Sequence, residues 1–305
     1  MKGNIRKIIT KNGSKRYEHK TQCIVCGKVV WRQKNQINKC NISFCSKSSY
    51  CQYEYYHKLR DPKSHAIMDH KDTPDFYYLL GLICTDGNIT YPDKNSTIKH
   101  QKYKGYNCYI NLNKIDKDLI YKIQNKFGGK SQFMHDNTIR WQITNKYFIE
   151  YLMNMGLTHN KSATLNIENW FNNLTNDNIL HFLRGVIDGD GSIKIFKSKN
   201  TKKKSGDRRF SICTGSPSFF NTIKNYFIKS YTQIGYSESH CPTYSYIIYN
   251  NVIMTKILND IYRPIENDSS LLYMERKYIE YQKIRDFYKT SERGQNYKGF
   301  TYENN

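Results

Sequence analysis

The chain of 305 residues contains one sequence segment twice. Residues 79–89 read LLGLICTDGNI and residues 183–193 read LRGVIDGDGSI, with six of the eleven positions identical. The two copies lie 104 residues apart, a distance far longer than the repeat of a solenoid. The sequence therefore predicts two copies of a domain-sized unit.

Each copy has the features of a buried helix. The Thr-Pro pair at 73–74 predicts the start of the first helix, and Thr175 or Asp177 the start of the second. Gly87 and Gly191 follow the apolar stretches. Both are suited to the C′ position, where a left-handed backbone conformation ends a helix.

Both helices carry a glycine in the middle and an aspartate at the end. Gly81 and Gly185 each cost about 1 kcal/mol relative to alanine, so their repetition predicts close backbone packing. Asp86 and Asp190 lie where the helix macrodipole disfavours a carboxylate. Side by side, the two would repel each other unless cations lay between them. We therefore predict a site for hard divalent cations, Mg²⁺ above all, with two ordinary Asp-Gly turns as the alternative.

The remainder of each copy alternates between strand and helix patterns. A strand pair, a helix, a hairpin and another helix follow each duplicated segment, and this order is typical of an α+β fold. We predict two pseudo-symmetric αββαββα repeats that form a saddle on duplex DNA, with a small Cys-rich module before them. The predicted elements after the motifs are strands within 88–113, a helix after Asp116, a hairpin at 136–137 and a helix over 147–155, then a strand at 208–215, a helix from Ser216, a hairpin over 235–250 and helices over 252–262 and 273–288.

The net charge of +22 predicts a polyanionic partner. Residues 1–70 hold half of this excess. The longest near-apolar run, residues 77–84, is too short for a membrane span, and no apolar signal segment follows the first lysines. We expect an intracellular protein, neither secreted nor membrane-bound. A second basic cluster, with phosphate contact as its predicted role and a solvated loop as the alternative, comprises Lys194, Lys197, Lys199, Lys202, Lys203, Lys204, Arg208 and Arg209.

Five of the nine cysteines lie within the first 51 residues. An odd total without a signal peptide argues against a disulfide scaffold. Cys23 and Cys26 have the spacing of half a zinc site, and Cys45 and Cys51 would supply the other half. Cys40 or His57 is an alternative for one ligand, and a set of reduced thiols is the alternative to the site. We expect structural Zn²⁺ to supply the folding energy of this module.

The two motifs resemble those of the LAGLIDADG homing endonucleases, in the single-chain form. The resemblance extends over about residues 74–290. It implies a metal-dependent nuclease that cuts both strands of long, loosely palindromic DNA sites. It also implies that Asp86 and Asp190 bind the catalytic metals. The family has a lysine past the last helix of each repeat, and Lys161 and Lys277 match that place.

One motif position departs from the family pattern. The earlier motif acid of the family is Cys84 in the first copy and Asp188 in the second. Since that acid is not generally a metal ligand, the resemblance still implies cleavage, by an asymmetric site. Asn113 and Thr214 are weak candidates for a water-holding polar residue that the family has at the end of the second strand.

We therefore predict a monomeric, site-specific double-strand DNA endonuclease. Two alternatives use the same fold: an intron RNA maturase, with intron RNA as its partner, and a DNA-binding regulator that does not cut. The predicted divisions are residues 1–70 for the Cys-rich module and linker, 71–173 for the first repeat, 174–290 for the second and 291–305 for a polar tail.

Overall fold

The chain divides into two compact units, Met1–Ala66 and Ile67–Asn305, in the computed structural model. The first unit contains an antiparallel sheet of β1 (Ile5–Ile9), β2 (Lys15–Gln22) and β3 (Val29–Arg32), with β2 in the middle. The predicted boundary between the two repeats, and the one between the second repeat and the polar tail, stay predictions. The residues that the structure describes are 5–10, 12–23, 27–33, 67–92, 105–159, 161–196, 207–231, 234–239, 243–248 and 251–290.

The second unit holds the duplicated segments and the elements around them. Its helices are α1 (Pro74–Asp86), α2 (Lys117–Phe127), α3 (Lys146–Asn154), α4 (Glu168–Phe171), α5 (Asn176–Asp190), α6 (Pro217–Ser230), α7 (Asn251–Tyr262), α8 (Pro264–Asn267) and α9 (Glu275–Thr290). Its strands are β4 (Gly87–Thr90), β5 (Asn107–Asn113), β6 (Lys130–Phe133), β7 (Thr138–Thr144), β8 (Gly191–Phe196), β9 (Asp207–Thr214), β10 (Tyr236–Ser239) and β11 (Tyr244–Ile248).

The two repeats have the same sheet topology. The strand order is β4-β5-β7-β6 in the first sheet and β8-β9-β11-β10 in the second, with antiparallel neighbours in both. Each sheet begins directly at the glycine that follows a motif helix. The duplication seen in eleven residues therefore extends through the whole repeat.

The motif helices α1 and α5 pack against each other through their central glycines. A Cβ atom on Gly81 would lie 2.1 Å from the carbonyl oxygen of Phe182, and one on Gly185 would lie 2.1 Å from that of Tyr78. No side chain fits at that distance, so the backbones are in direct contact. The close packing predicted from the repeated glycines is confirmed.

The helix starts were predicted well, but the reason given for the terminal glycines was wrong. Thr73 and Thr175 cap α1 and α5 by accepting backbone N–H groups through their hydroxyl oxygens. Gly87 and Gly191 have φ of −84° and −75°, so neither has the left-handed conformation expected at C′. Added Cβ atoms would instead lie 2.6 Å and 2.5 Å from the carbonyl oxygens of Ile83 and Ile187. Lack of space, rather than backbone conformation, requires glycine there.

Apolar side chains on one face of each sheet form the core with the surrounding helices. In β5 and β7, Cys108, Ile110, Trp141 and Ile143 are fully buried. The predicted inner face of α2 is also buried, and Phe127 ends it. Among the described residues, no helix combines the length and the apolar character that crossing a membrane requires.

Replacing Gly185 by alanine should destabilise the second unit by about 3 kcal/mol, the upper end of the usual cost of overpacking, because the added methyl meets rigid backbone. Urea unfolding measures the change. Gly105→Ala is the matched control, since its Cβ would meet nothing closer than 3.5 Å. Equal stability of the two variants would contradict the close packing of the helices.

Candidate active site

Asp86 and Asp190 are the last residues of α1 and α5, so the helix pairing brings the two predicted carboxylates together. Gly189 allows the end of α5 to lie close to the end of α1. A Cβ atom there would lie 2.0 Å from the Thr85 hydroxyl oxygen and 2.9 Å from Asp86 Oδ2. Sequence reasoning missed this glycine, although it is the one residue that separates the second aspartate from the earlier motif acid.

The Asp190 carboxylate disfavours the charge of Asp86. Burial, and then repulsion from Asp190, raises the pKa of Asp86 to about 6. Burial also raises the pKa of Asp190, although this residue keeps an exposed surface. The Asp190 carboxyl group is thus partly surrounded by protein but still reachable from solvent. Such a group suits a site that binds a cation from solution.

Lys161 reaches the carboxylates from the first repeat. It begins the short 3-10 helix Lys161–Ala163 and is only 4% exposed. Its Nζ donates to the carbonyl oxygen of Thr85 at 3.3 Å. Burial lowers the pKa of Lys161, and the Asp86 and Asp190 carboxylates partly offset that effect.

Lys277 reaches the same place from the second repeat. It lies in the first turn of α9 and is 8% exposed. Its Nζ donates to the carbonyl oxygen of Gly191, directly after Asp190. Burial lowers the pKa of Lys277, as for Lys161. The four residues predicted for the site therefore meet at one end of the helix pair.

Arg276 is a further cation at the site that sequence reasoning missed. Its Nε donates to both carboxylate oxygens of Asp116, at 3.0 and 3.1 Å. Its charge also helps to hold down the pKa of Asp86. Asp116 is the N-cap residue directly before α2, as predicted, but its side chain forms no capping hydrogen bond. It binds an arginine of the other repeat instead.

The earlier motif position differs in the two repeats. Cys84 is 6% exposed, and burial raises its pKa to about 12. Asp188 is fully buried, and burial raises its pKa to about 6 against three hydrogen bonds that lower it. Neither side chain adds an exposed acid to Asp86 and Asp190.

The donor set fits a small hard cation. Mg²⁺ keeps several waters and needs only one or two carboxylates from a protein, and Asp86 and Asp190 offer two beside the carbonyl oxygens of the helix ends. Within the described ranges, no group of three or more His, Cys, Asp or Glu side chains is placed to hold a metal ion. Further ligands would therefore be waters, backbone carbonyls or oxygens of a bound phosphate.

The outward face of the first sheet carries long polar side chains. Arg140 donates through Nε to Asn111 at 2.8 Å and lies 4.5 Å from the ring centre of Tyr109. The second sheet has smaller groups on the same face, such as Ser192, Cys213 and Ser245. The polar residues across the first face are Asn88, Asn107, Tyr109, Asn111, Lys130, Gln132, Arg140, Gln142 and Thr144.

Other predicted residues are placed only in part. Lys194 is exposed in β8. Arg208 and Arg209 lie in β9, but their side chains fall outside the description. Asn113 and Thr214 each accept a backbone N–H at the end of a strand, from Ile115 and Ser216. The predicted residues that lie outside the described ranges are Lys197, Lys199, Lys202, Lys203, Lys204, Cys26, Cys40, Cys45, Cys51 and His57.

Cys23 is the one predicted zinc ligand in the described ranges. It is buried. Its N–H donates to the carbonyl oxygen of Lys28 at 2.9 Å, and its carbonyl oxygen accepts the N–H of Gly27 at 2.8 Å. Gly27 has φ of +70°, which favours glycine. The zinc site stays a prediction.

Comparison with known proteins supports the fold. Residues 79–170, which span the first repeat, match the family described as LAGLIDADG endonuclease. The structure of the meganuclease I-SmaMI bound to uncleavable DNA is similar, with 16% identity and a TM-score of 0.50, over 70% of this chain and 89% of that chain. The LAGLIDADG meganuclease I-CpaMI bound to uncleaved DNA follows at 15% identity and a TM-score of 0.46, over 70% and 90% of the two chains. A search of curated proteins found no match.

The predicted fold class is thereby confirmed for the two repeats. The chain has the mixed α/β fold of the two-repeat meganucleases, with helices and antiparallel sheets in the predicted order. The confirmation of the fold class does not extend to the predicted Cys-rich module.

Without divalent ions, Asp86→Asn should be more stable than the wild type by about 1–3 kcal/mol near pH 7.5 and equal to it near pH 4. The pKa of about 6 exceeds the ordinary 3.8. The protonated carboxyl therefore favours the folded state, and this stabilisation is lost as the pH rises through 6. Urea unfolding across the pH range measures it. Asp118→Asn, at an exposed carboxylate of α2, is the control, and a pH-independent difference for Asp86→Asn would contradict the coupling.

Proposed function

We propose that the chain is a site-specific endonuclease that hydrolyses both strands of duplex DNA. One observation carries the proposal: two carboxylates, Asp86 and Asp190, end two paired helices beside two buried lysines, Lys161 and Lys277. One carboxylate and one lysine come from each repeat, and this suits the cutting of two strands by one monomer. The family match over the first repeat agrees with this function.

We propose Mg²⁺ as the cofactor, held by Asp86 and Asp190. Bound there, the ion would supply Lewis-acid stabilisation and an activated water for in-line displacement at phosphorus. Lys161 and Lys277 would place positive charge where negative charge grows on the phosphate. Because their ammonium groups are held against backbone carbonyls, they are already oriented before DNA binds.

We propose that the outward sheet faces read the DNA. A strand ribbon fits the major groove, and arginine, asparagine and glutamine are the side chains that pair with base edges in two-point contacts. The first face offers all three, and Arg140 is held in place by Asn111 and Tyr109. The net charge of +22 would supply the sequence-independent attraction to phosphates.

The Cys-rich module would extend the DNA footprint. We propose that Zn²⁺ is bound by Cys23, Cys26, Cys45 and Cys51, supported by the tight turn at Cys23 and Gly27. The described strands of this unit carry Lys7, Lys15, Arg16, Lys20 and Arg32 against the single acid Glu18. That surplus of positive charge suits contact with phosphates.

Selection from a randomised duplex library tests the function. The purified protein with Mg²⁺ should release cut ends that share one long motif. Bound but uncut DNA would favour the regulator, and preference for structured intron RNA over duplex DNA would favour the maturase. Either result would overturn the nuclease.

Asp86→Asn and Asp190→Asn should each abolish double-strand cutting of the selected site, since each removes a carboxylate that the metal requires. DNA affinity should persist or rise, because each variant also removes a negative charge from the interface. Cleavage and filter binding on the same duplex measure both effects. Undiminished cutting by either variant would remove these residues from the mechanism.

Arg140→Ala should relax base preference at one or two adjacent positions of the first half-site, at a cost of about 1–3 kcal/mol in discrimination. Repeating the selection with the variant measures it. Arg263→Ala is the matched control, because Arg263 is exposed but lies between α7 and α8 and belongs to neither sheet. An unchanged motif for Arg140→Ala would exclude the first sheet face as the reader.

A further inference from the structure

Asp188 is a fully buried carboxylate, although it lies only two residues before the exposed Asp190. It is 0% exposed. Oδ2 accepts the Tyr78 hydroxyl at 2.8 Å and the Met274 N–H at 2.7 Å, and Oδ1 accepts the Tyr262 hydroxyl at 2.6 Å. Three donors from three parts of the chain therefore converge on one side chain.

The backbone that Asp188 holds is fixed at a second point. Two residues before Met274, the Leu272 N–H donates to Asp75 Oδ1 at 2.7 Å, and the Leu272 carbonyl oxygen accepts Arg184 Nε at 3.0 Å. Asp75 is 4% exposed and Arg184 is 0% exposed. The segment Leu271–Met274 is thus clamped by charged side chains of both motif helices.

This segment leads directly into the helix that carries Lys277. The Met274 carbonyl oxygen accepts the N–H groups of Lys277 and Tyr278, at 3.0 and 3.1 Å. Met274 therefore joins the clamp to the first turn of α9, and Lys277 Nζ reaches the Gly191 carbonyl oxygen from that turn. A continuous series of contacts runs from Asp188 to the lysine of the second centre.

The first centre is built differently. Cys84 occupies the place of Asp188. Near Lys161, His159 Nδ1 lies 3.0 Å from the Ile89 carbonyl oxygen, and its ring stacks on Tyr91 with the ring centres 3.9 Å apart. The lysine of each centre is thus supported by its own set of contacts.

We propose that Asp188 is the positioning residue of the second centre, which sets Lys277 through the Met274 amide, and that it serves one DNA strand only. The inference rests on the proposed nuclease function. It goes beyond it by assigning a role to a motif acid that neither binds the metal nor meets the substrate.

The test is strand-resolved cleavage of the selected site, with each strand carrying its own label. Lys277→Met first identifies the strand that depends on Lys277. Asp188→Ala should slow that same strand by about 100-fold, the usual effect of a small misplacement, while the other strand is cut at the wild-type rate. Nicked duplex should therefore accumulate.

Two further variants separate positioning from general stability. Asp188→Asn keeps an oxygen for the Met274 N–H, and its amide can donate to the Tyr262 hydroxyl, so it should restore cutting of the affected strand. Tyr262→Phe removes a donor on Oδ1 and leaves the Met274 contact, so it should lower stability without strand bias. If Asp188→Ala does not fold, the near-isosteric Asp188→Leu takes its place with the same expected bias.

Hydrogen exchange on the DNA-free protein gives a second readout. In Asp188→Ala, the amides of residues 272–278 should exchange faster, while those of α1 and α5 keep their protection. Equal slowing of both strands, or unchanged exchange at 272–278, would overturn the positioning role even while the wild type cuts DNA. If the wild type cuts no DNA, the proposed nuclease function is overturned instead. The exchange rates at residues 272–278 would then be the test of whether Asp188 holds this segment.

Discussion

The direct contact of two helix backbones at Gly81 and Gly185 is the constraint on which the larger unit depends. It sets the distance between α1 and α5, and so the distance between the carboxylates at their ends. Each sheet starts at the glycine that ends a motif helix, so the contact also positions both sheets. The backbone contact at these two glycines thereby fixes the core, the site and the two outward faces together.

Much of this arrangement can be predicted from the sequence because short local patterns specify it. The duplicated motif, the threonine caps and the alternation in β5 and β7 each need only a short window. The three strands β1 to β3 escaped prediction because β1 and β3 are short, and β2 carries charged residues on both faces with only Glu18 buried. Gly87 and Gly191 were assigned for the wrong reason, since a sequence shows glycine but not what crowds it.

The sequence predicts which four residues form the candidate site, but not which contacts support them. Asp86, Asp190, Lys161 and Lys277 stand at motif positions or at fixed places after an element. The contacts that hold Leu272 and Met274 join residues 197 and 86 positions apart, and no periodicity reports such a pairing. Arg276 with Asp116 is a further case, 160 positions apart. Long-range polar contacts, both within the second repeat and between the repeats, are therefore what the fold adds to the sequence.

The strand order has a consequence for solubility. Each four-stranded sheet is open, and one of its two edges is a strand of four residues, β6 or β10. Short edges with polar or charged side chains are a common protection against edge-to-edge association. Lys130 begins β6, and β10 carries Glu238, which pairs with Lys224. At these two edges, the larger unit thus offers little unpaired backbone to another copy of the chain.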